Sequence, residues 1–150
     1  MAITDTGGGA NGQSVAVSGT VSPAQTPYQS WGSGYGLSGT SAEAGADPDG
    51  DGWSNAQEYA FGLNPTNSGG SLASLTQTTN QVKITFLQRD TGGITYAVKA
   101  AATLAGGFTN NITPQLSADT NGVPAGYKKY EATLSTTNGR GFLKVEATVP

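Results

Sequence analysis

The densest group of metal-ligating side chains in the sequence lies between residues 47 and 58. Four of the chain's ten acidic residues fall within these positions. Oxygen-bearing side chains at the first, third, fifth, ninth and twelfth positions, with glycine at the sixth, are the pattern of a twelve-residue calcium loop. The candidate ligands are the side chains of Asp47, Asp49, Asp51, Asn55 and Glu58 and the backbone carbonyl of Trp53. Gly52 occupies the sixth position, where the sharp turn requires a positive φ.

The electrostatics of this loop favour a bound cation. Carboxylates held about 4 Å apart repel by about 1 kcal/mol per pair even in water, and by more when they are partly buried. A hard dication removes this repulsion, and Ca²⁺, with six to eight oxygen ligands, suits such a loop better than Mg²⁺. The chain has no His and no Cys, the usual ligands of zinc and copper. We therefore expect Ca²⁺ as the cofactor; the alternative is an acidic turn without a metal.

The segment around the loop resembles a known kind of repeat. Residues 46–65, reading ADPDGDGWSNAQEYAFGLNP, are similar to a thrombospondin type 3-like calcium repeat. They resemble more closely the segment that opens a domain of large secreted bacterial surface proteins, where an aromatic residue and a Gly-Leu pair precede the loop, here Trp31 and Gly36-Leu37. A β domain follows in that family, and the resemblance covers about residues 28–149. It implies an extracellular location, a bound calcium ion and no enzymatic activity.

Two features depart from related calcium loops. Ser54 occupies the eighth position, where paired loops usually carry a β-branched or aliphatic residue, and the sequence holds no second complete loop. We therefore expect neither a sensor-type pair nor a duplicated dockerin. Asp119 and Asn121 form a weaker acidic segment, but they offer too few ligands, and a turn explains them better.

The composition predicts a mostly β protein. Only 11% of the 150 residues are charged, 23 are glycine, and 35% are hydrophobic, which is typical of β domains with many turns. Alternating apolar residues predict strands at Gln81–Leu87, Ile94–Val98, Lys128–Leu134 and Gly141–Val149. The residues between the first two strands, Arg89 to Gly93, predict a hairpin loop. We expect an antiparallel β-sandwich with a short helical calcium-loop segment.

Three segments are expected along the chain. Residues 1–27 form an extended N-terminal arm with a strand at 14–21, whose Val15, Val17 and Val21 share one face. Residues 28–66 contain aromatic residues, the calcium loop and a helix at 54–61 that ends at Gly62. Residues 72–150 form the β-sandwich and pack with 28–66 as one domain.

The aromatic residues before the loop allow two interpretations. Tyr28, Trp31 and Tyr35 fit one face of a short helix, although neighbouring glycines weaken it. They could fill a core as an aromatic cluster, or they could form a platform on which sugars stack.

Several classes of protein are disfavoured. Without His, an activated nucleophile lacks its usual base, and no motif supports a Ser–Lys pair or a phosphate-binding loop. We expect no enzyme. The bases are dispersed and the pI is 4.6, so a nucleic-acid partner is not expected either. No run of residues is apolar enough for a membrane span. The first ten residues lack a signal-peptide pattern, and we expect that a signal was removed.

The favoured function is an extracellular, calcium-stabilised structural subunit that assembles with copies of itself into a fibre or surface layer. Residues 1–82 carry six acids and no base, for a net charge of −6, whereas residues 83–150 carry seven bases and four acids, for +3. Opposed halves favour head-to-tail contacts. Val15, Val17 and Val21 would enter a neighbour's sheet by strand exchange, or the arm would fold onto its own sheet.

The alternative function is a non-catalytic extracellular binding module, for cell-surface polysaccharide or for attachment to the cell surface. Its candidate stacking residues are Trp31, Tyr35, Tyr127 and Tyr130. The loop at residues 123–129, with its two lysines, would face the ligand.

Overall fold

The computed structural model describes residues 22–136 and 140–150. Within them lie two short α-helices, two 3-10 turns and seven strands. The helices are α1 (Pro27–Gly34) and α2 (Asn55–Phe61), and the 3-10 turns are Gly39–Ala42 and Leu104–Gly106. The strands are β1 (Ala73–Gln77), β2 (Gln81–Arg89), β3 (Thr95–Ala101), β4 (Asn110–Ile112), β5 (Gln115–Leu116), β6 (Tyr127–Ser135) and β7 (Phe142–Thr148). Neither helix has the length and apolar character needed to cross a membrane.

The strands form two antiparallel sheets, so the prediction of a mostly β, antiparallel fold is confirmed. One sheet has the order β1-β2-β6-β5 and the other has the order β4-β3-β7. The long β2–β6 ladder pairs Ile84 with Ala132, and the β3–β7 ladder pairs Val98 with Val145. Side chains from both sheets share one hydrophobic core, an arrangement compatible with a β-sandwich.

The alternation of apolar residues explains how β2 enters this core. Val82, Ile84 and Phe86 are buried, while the residues between them are half-buried. On a strand such residues share one face, and here that face meets Val98 of the other sheet in the core. Phe61, at the end of α2, belongs to the same cluster. The helix that follows the acidic loop is thus part of the domain core.

The predicted hairpin between β2 and β3 is wrong. β2 pairs with β1 and β6, whereas β3 pairs with β4 and β7, so the two strands lie in different sheets. Both strands carry an apolar face that must be buried, and each strand buries it in the one core that the two sheets share. The glycines of the connection, Gly92 and Gly93, have φ values of 94° and 68°, which suits a crossover as well as a hairpin.

Helix α1 holds the aromatic cluster. Thr26 caps the helix, and its hydroxyl accepts a hydrogen bond from the Gln29 amide at 3.1 Å. The ring centroids of Tyr28 and Trp31 lie 5.2 and 5.3 Å from that of Tyr59 in α2. These distances are those of edge-to-face aromatic packing. The aromatic residues therefore join α1 to α2, as the interpretation of a core cluster predicts.

The predictions for the N-terminal arm lie outside the described residues. The strand expected at residues 14–21, and with it Val15, Val17 and Val21, falls in residues 1–21, which the structure does not describe. Asn138-Gly139, a pair whose sequence predicts a turn, also falls outside the described ranges. These predictions stay predictions.

Candidate metal centre

Three aspartates of the acidic loop converge. One carboxylate oxygen from each of Asp47, Asp49 and Asp51 lies within 4.8 Å of the other two. Gly50 bends the chain between Asp49 and Asp51, and Gly52 bends it directly after Asp51, with φ values of 74° and 94°, a region that glycine enters without steric cost. The sequence spacing predicts this convergence, and such a group could bind a metal ion.

Backbone amides fix the orientation of these carboxylates. Asp47 accepts hydrogen bonds from the amides of Gly50 and Gly52, both at 2.9 Å. Asp51 uses one oxygen to accept from the Trp53 amide at 2.9 Å and the other to accept from the Gly69 amide at 3.1 Å. The last bond joins the loop to the segment that leads into β1. The acid side chains are thus held inward, where their mutual repulsion is strongest.

Glu58 is the most constrained acid of the site. It lies in α2 with 0% of its surface exposed, and neither carboxylate oxygen has a hydrogen-bond partner among the described residues. Burial, followed by the charges of Asp49, Asp51 and Asp47, raises the pKa of Glu58 from 4.5 to about 7. A buried carboxylate without a partner is strongly unfavourable, so this arrangement calls for a positive charge beside it.

Asn55 is a second buried residue with unused ligand capacity. It is fully buried, and its amide nitrogen donates to the carbonyls of Ser41 at 2.8 Å and Glu43 at 2.9 Å. These two acceptors fix which end of the side chain is the nitrogen. The remaining Oδ1 has no partner in the described chain, and neither does Oδ2 of Asp49. Both are oxygens that the calcium-loop pattern assigns as ligands.

The β sheets position the site through the end of α2. The Tyr127 hydroxyl donates to the Tyr59 carbonyl at 2.7 Å, and the Tyr96 hydroxyl donates to the Ala60 carbonyl at 2.6 Å. The guanidinium of Arg89 lies 4.3 Å from the ring centroid of Tyr59. Burial raises the pKa of Tyr96 to about 12, so this hydroxyl stays protonated and keeps donating. Both tyrosines satisfy carbonyls that a helix end otherwise leaves unpaired.

The sequence reasoning missed these anchoring residues. Tyr96 and Arg89 were assigned only to a strand and a loop, and Tyr127 was considered as a sugar-stacking face. The available signal was modest: a tyrosine at a buried strand position needs a partner for its hydroxyl, and α2 ends with free carbonyls. Gly62, by contrast, ends α2 as predicted, in the left-handed conformation with φ 77°.

Two lesser candidates from the sequence are settled by their contacts. Asp119 accepts from the Asn121 amide at 3.0 Å and forms an ion pair with Lys129 at 2.7 Å. The Lys129 hydrogen bond holds the pKa of Asp119 below its usual range. This segment is therefore a turn closed by an ion pair.

Tyr127 is only 9% exposed, so it offers no stacking face, and Tyr130 is half-buried against Phe86.

Comparisons with known proteins add no assignment to this site. No protein-family model matches the chain, and neither the curated proteins nor the solved structures include a match. The resemblance to calcium repeats of secreted bacterial proteins thus stays an expectation from the sequence alone.

Proposed function

We propose that the protein is a calcium-stabilised structural subunit that functions outside the cell and assembles with copies of itself through its N-terminal arm. The calcium part depends on one observation above all: Glu58 is fully buried, both of its oxygens lack partners in the described chain, and burial together with three aspartate charges raises its pKa. A divalent ion beside these groups would compensate the burial and the repulsion together. We further propose that the two sheets form the expected β-sandwich.

The ligand chemistry favours calcium. The proposed donors are the side chains of Asp47, Asp49, Asp51, Asn55 and Glu58 and the carbonyl of Trp53. All are oxygens, which hard cations prefer, and Glu58 can supply two of them. Oxygens bound to one Ca²⁺ at about 2.3–2.6 Å are at most about 5 Å apart, and the aspartate oxygens, within 4.8 Å of one another, meet that limit.

The proposed role of the ion is to hold two parts of the domain together. The acidic loop follows the aromatic helix α1, while Glu58 belongs to α2, which tyrosines of the sheets anchor. An ion bound by both the loop and α2 would fix the loop to the sheets. Calcium sites of extracellular modules often bind with dissociation constants of about 0.1–1 mM. A site of that strength would be filled only where calcium is abundant, which is consistent with the proposed location outside the cell.

The proposed assembly follows from charge and from the arm. The chain carries its excess acid before residue 83 and its excess base after it. Such a distribution favours head-to-tail contacts between copies, which extend into open filaments when the rotation does not close. The alternating valines of residues 14–21 would supply the strand that one copy adds to the next. We propose no catalytic activity, since the clustered acids are assigned to the metal.

A second candidate function is polysaccharide binding, and one observation favours it. Tyr35 is 40% exposed, and its ring packs 5.3 Å from that of Trp31. An exposed aromatic face beside a half-buried tryptophan could stack on a sugar. Affinity electrophoresis of the monomer against cell-wall polysaccharides, compared with a Tyr35→Ala variant, would show a retardation that the variant loses.

The experiment for the main proposal compares the protein with calcium and with chelator. Negative-stain microscopy and sedimentation should show filaments or larger particles in calcium. The variant Asp49→Ala with Glu58→Ala should lose the calcium response, and Asp119→Ala, which removes an acid outside the loop, should retain it. Single particles of the unmodified protein under all conditions would contradict the assembly part. A calcium response that survives in the double variant would contradict the metal part.

A further inference from the structure

Strand β7 forms one edge of the three-stranded sheet. β3 pairs with it on one side, from Phe142 opposite Ala101 to Thr148 opposite Thr95. Among the residues that the structure describes, no strand pairs with its other side. The opposing sheet has four strands. An edge strand seven residues long presents unpaired amide and carbonyl groups along its length, and such an edge is a template for an added strand.

The free edge of β7 borders an apolar groove. A groove of about 1080 Å³ runs beside the second half of β7 and the residues that follow it. Its lining includes Val145, Ala147 and Val149, which also pack against the hydrophobic core. Phe61 and Leu72 also line it. These alternate side chains lie on the core-facing side of the sheet, where they would be the apolar neighbours of the residues on one face of an added strand.

The apolar surface continues at the other end of β7. A second groove of about 250 Å³ lies between Leu143 of β7 and Leu75 of β1, and Phe142 contributes to it. Leu75 is 60% exposed and Phe142 is 36% exposed. Exposed large apolar side chains grouped beside an unpaired strand mark an interaction site. Both ends of β7 therefore border apolar surface that an added strand would cover.

We propose that this edge of β7 is the acceptor for residues 14–21 of a second copy, which add an antiparallel strand to the sheet. The proposal rests on the proposed function and assigns the docking site that strand exchange requires. Val15, Val17 and Val21 share one face of an extended strand, with Gly19 between the last two, just as Val145, Ala147 and Val149 share one face of β7 and the residues after it. Eight extended residues span about 26 Å, enough to cover the roughly 23 Å of β7.

The position where the described chain begins indicates why the strand comes from another copy. The Tyr28 ring lies 5.2 Å from that of Tyr59, and the Tyr59 hydroxyl lies close against Gly92. The next residue, Gly93, lies beside Pro150, which follows β7: a Cβ built on Gly93 would be 3.6 Å from the Pro150 ring. The arm therefore joins the domain at the end of the groove where β7 finishes.

That geometry limits what the arm of the same copy can do. From this end, an arm laid directly on its own β7 would run parallel to it, whereas every ladder between the described strands is antiparallel. Reaching the far end first, to return antiparallel, requires about 23 Å. The six residue steps from residue 21 to Pro27 span at most about 22 Å, so even a fully extended linker falls short of the full length of β7. A neighbour's arm has no such constraint, and antiparallel pairing is the slightly more stable form.

Disulfide trapping between full-length copies tests this docking, since the chain contains no cysteine. Val17→Cys protein is mixed with Val145→Cys or Ala147→Cys protein in calcium under oxidising conditions, and the mixed disulfide is measured by mass spectrometry. Facing positions of paired strands hold their Cβ atoms about 4.5–5.5 Å apart. The matched control is Lys144→Cys, which lies on the opposite face of β7. We expect at least a tenfold excess of mixed disulfide for an inward position over this control.

Other results would overturn the docking site. Equal yields for Val145→Cys and Lys144→Cys, or no mixed disulfide at either inward position, would contradict it. A Val17→Cys, Val145→Cys double variant that closes within one chain, at a yield independent of dilution, would show that the arm binds its own sheet. Melting temperatures of the single variants show that they are folded. If Val15→Asp with Val17→Asp abolishes filaments but no disulfide forms at β7, the assembly function stands and the acceptor site is wrong.

Discussion

Replacing Glu58 with glutamine should change stability in opposite directions with and without calcium. Glu58 is fully buried beside three aspartates, and its pKa of about 7 reflects how strongly the site without a metal ion disfavours its charge. A rise from 4.5 to about 7 corresponds to about 3 kcal/mol. The folded-state pKa lies above the ordinary value, so this penalty is absent below about pH 4.5 and complete above about pH 7. In chelator at pH 8, Glu58→Gln should therefore stabilise the protein by up to about 3 kcal/mol.

In calcium the same substitution should be harmful. A ligand at a hundredfold excess over its dissociation constant stabilises the folded protein by about 2.7 kcal/mol. For a domain of this size, 1 kcal/mol shifts the melting temperature by about 2–4 °C. The unmodified protein should thus gain about 5–11 °C on adding calcium, and Glu58→Gln should gain little, because an amide cannot replace a bidentate carboxylate.

Differential scanning calorimetry at pH 8, in chelator and in calcium, measures both effects. The matched control is Glu43→Gln, an exposed acid near the loop whose side chain is not a proposed ligand. It should follow the unmodified protein under both conditions. The reasoning is refuted if Glu58→Gln keeps the full calcium-dependent gain, or if its melting temperature in chelator lies below that of the unmodified protein.

Three further predictions concern the surroundings of the site. Gly62→Ala should destabilise the protein by about 1–3 kcal/mol, as measured by urea denaturation. The φ of Gly62 is 77°, and a Cβ at this position would lie within 3.3 Å of side chains from β2 and β6. An unchanged midpoint of urea denaturation would contradict this. Tyr127→Phe should lower the free energy of unfolding by about 1–3 kcal/mol and weaken calcium binding, because the Tyr127 hydroxyl donates to a carbonyl of α2. The same substitution at the exposed Tyr35 should have neither effect. Two lysines lower the pKa of Glu146 to about 2, so the NMR titration of this carboxyl should have its midpoint there. The ion pairs of Glu146 should be intact above pH 4.5 and lost as the pH falls toward 2. A midpoint near 4.5 would contradict the pairing.

The acidic loop was largely predictable because its chemistry is local. The spacing of Asp47, Asp49 and Asp51 around Gly52 determines a turn in which the carboxylates must converge, whatever surrounds them. The alternation in β2 is likewise local, since a two-residue period reports directly which face of a strand is buried. The left-handed end of α2 at Gly62 follows from the same kind of short-range rule.

Pairing between distant strands was not predictable in the same way. The glycine-rich connection after Arg89 has the chemistry of a turn, but turn chemistry does not determine whether two strands pair or cross between sheets. The hydroxyls of Tyr96 and Tyr127 reach α2 only because the folded sheets bring them there, 36 and 68 residues away in sequence. The nitrogen of Asn55 is held by the carbonyls of Ser41 and Glu43, contacts that no spacing in the loop reveals.

Direct measurement of bound calcium tests the central claim most simply. Full-length protein and the Asp49→Ala, Glu58→Ala double variant are dialysed to equilibrium against about 1 mM calcium, a concentration suited to extracellular modules, and the retained metal is measured by atomic emission. The structure predicts close to one calcium per chain for the unmodified protein and none above background for the double variant. No excess calcium in the unmodified protein, or equal amounts in both, would contradict the assignment of this loop as a calcium site.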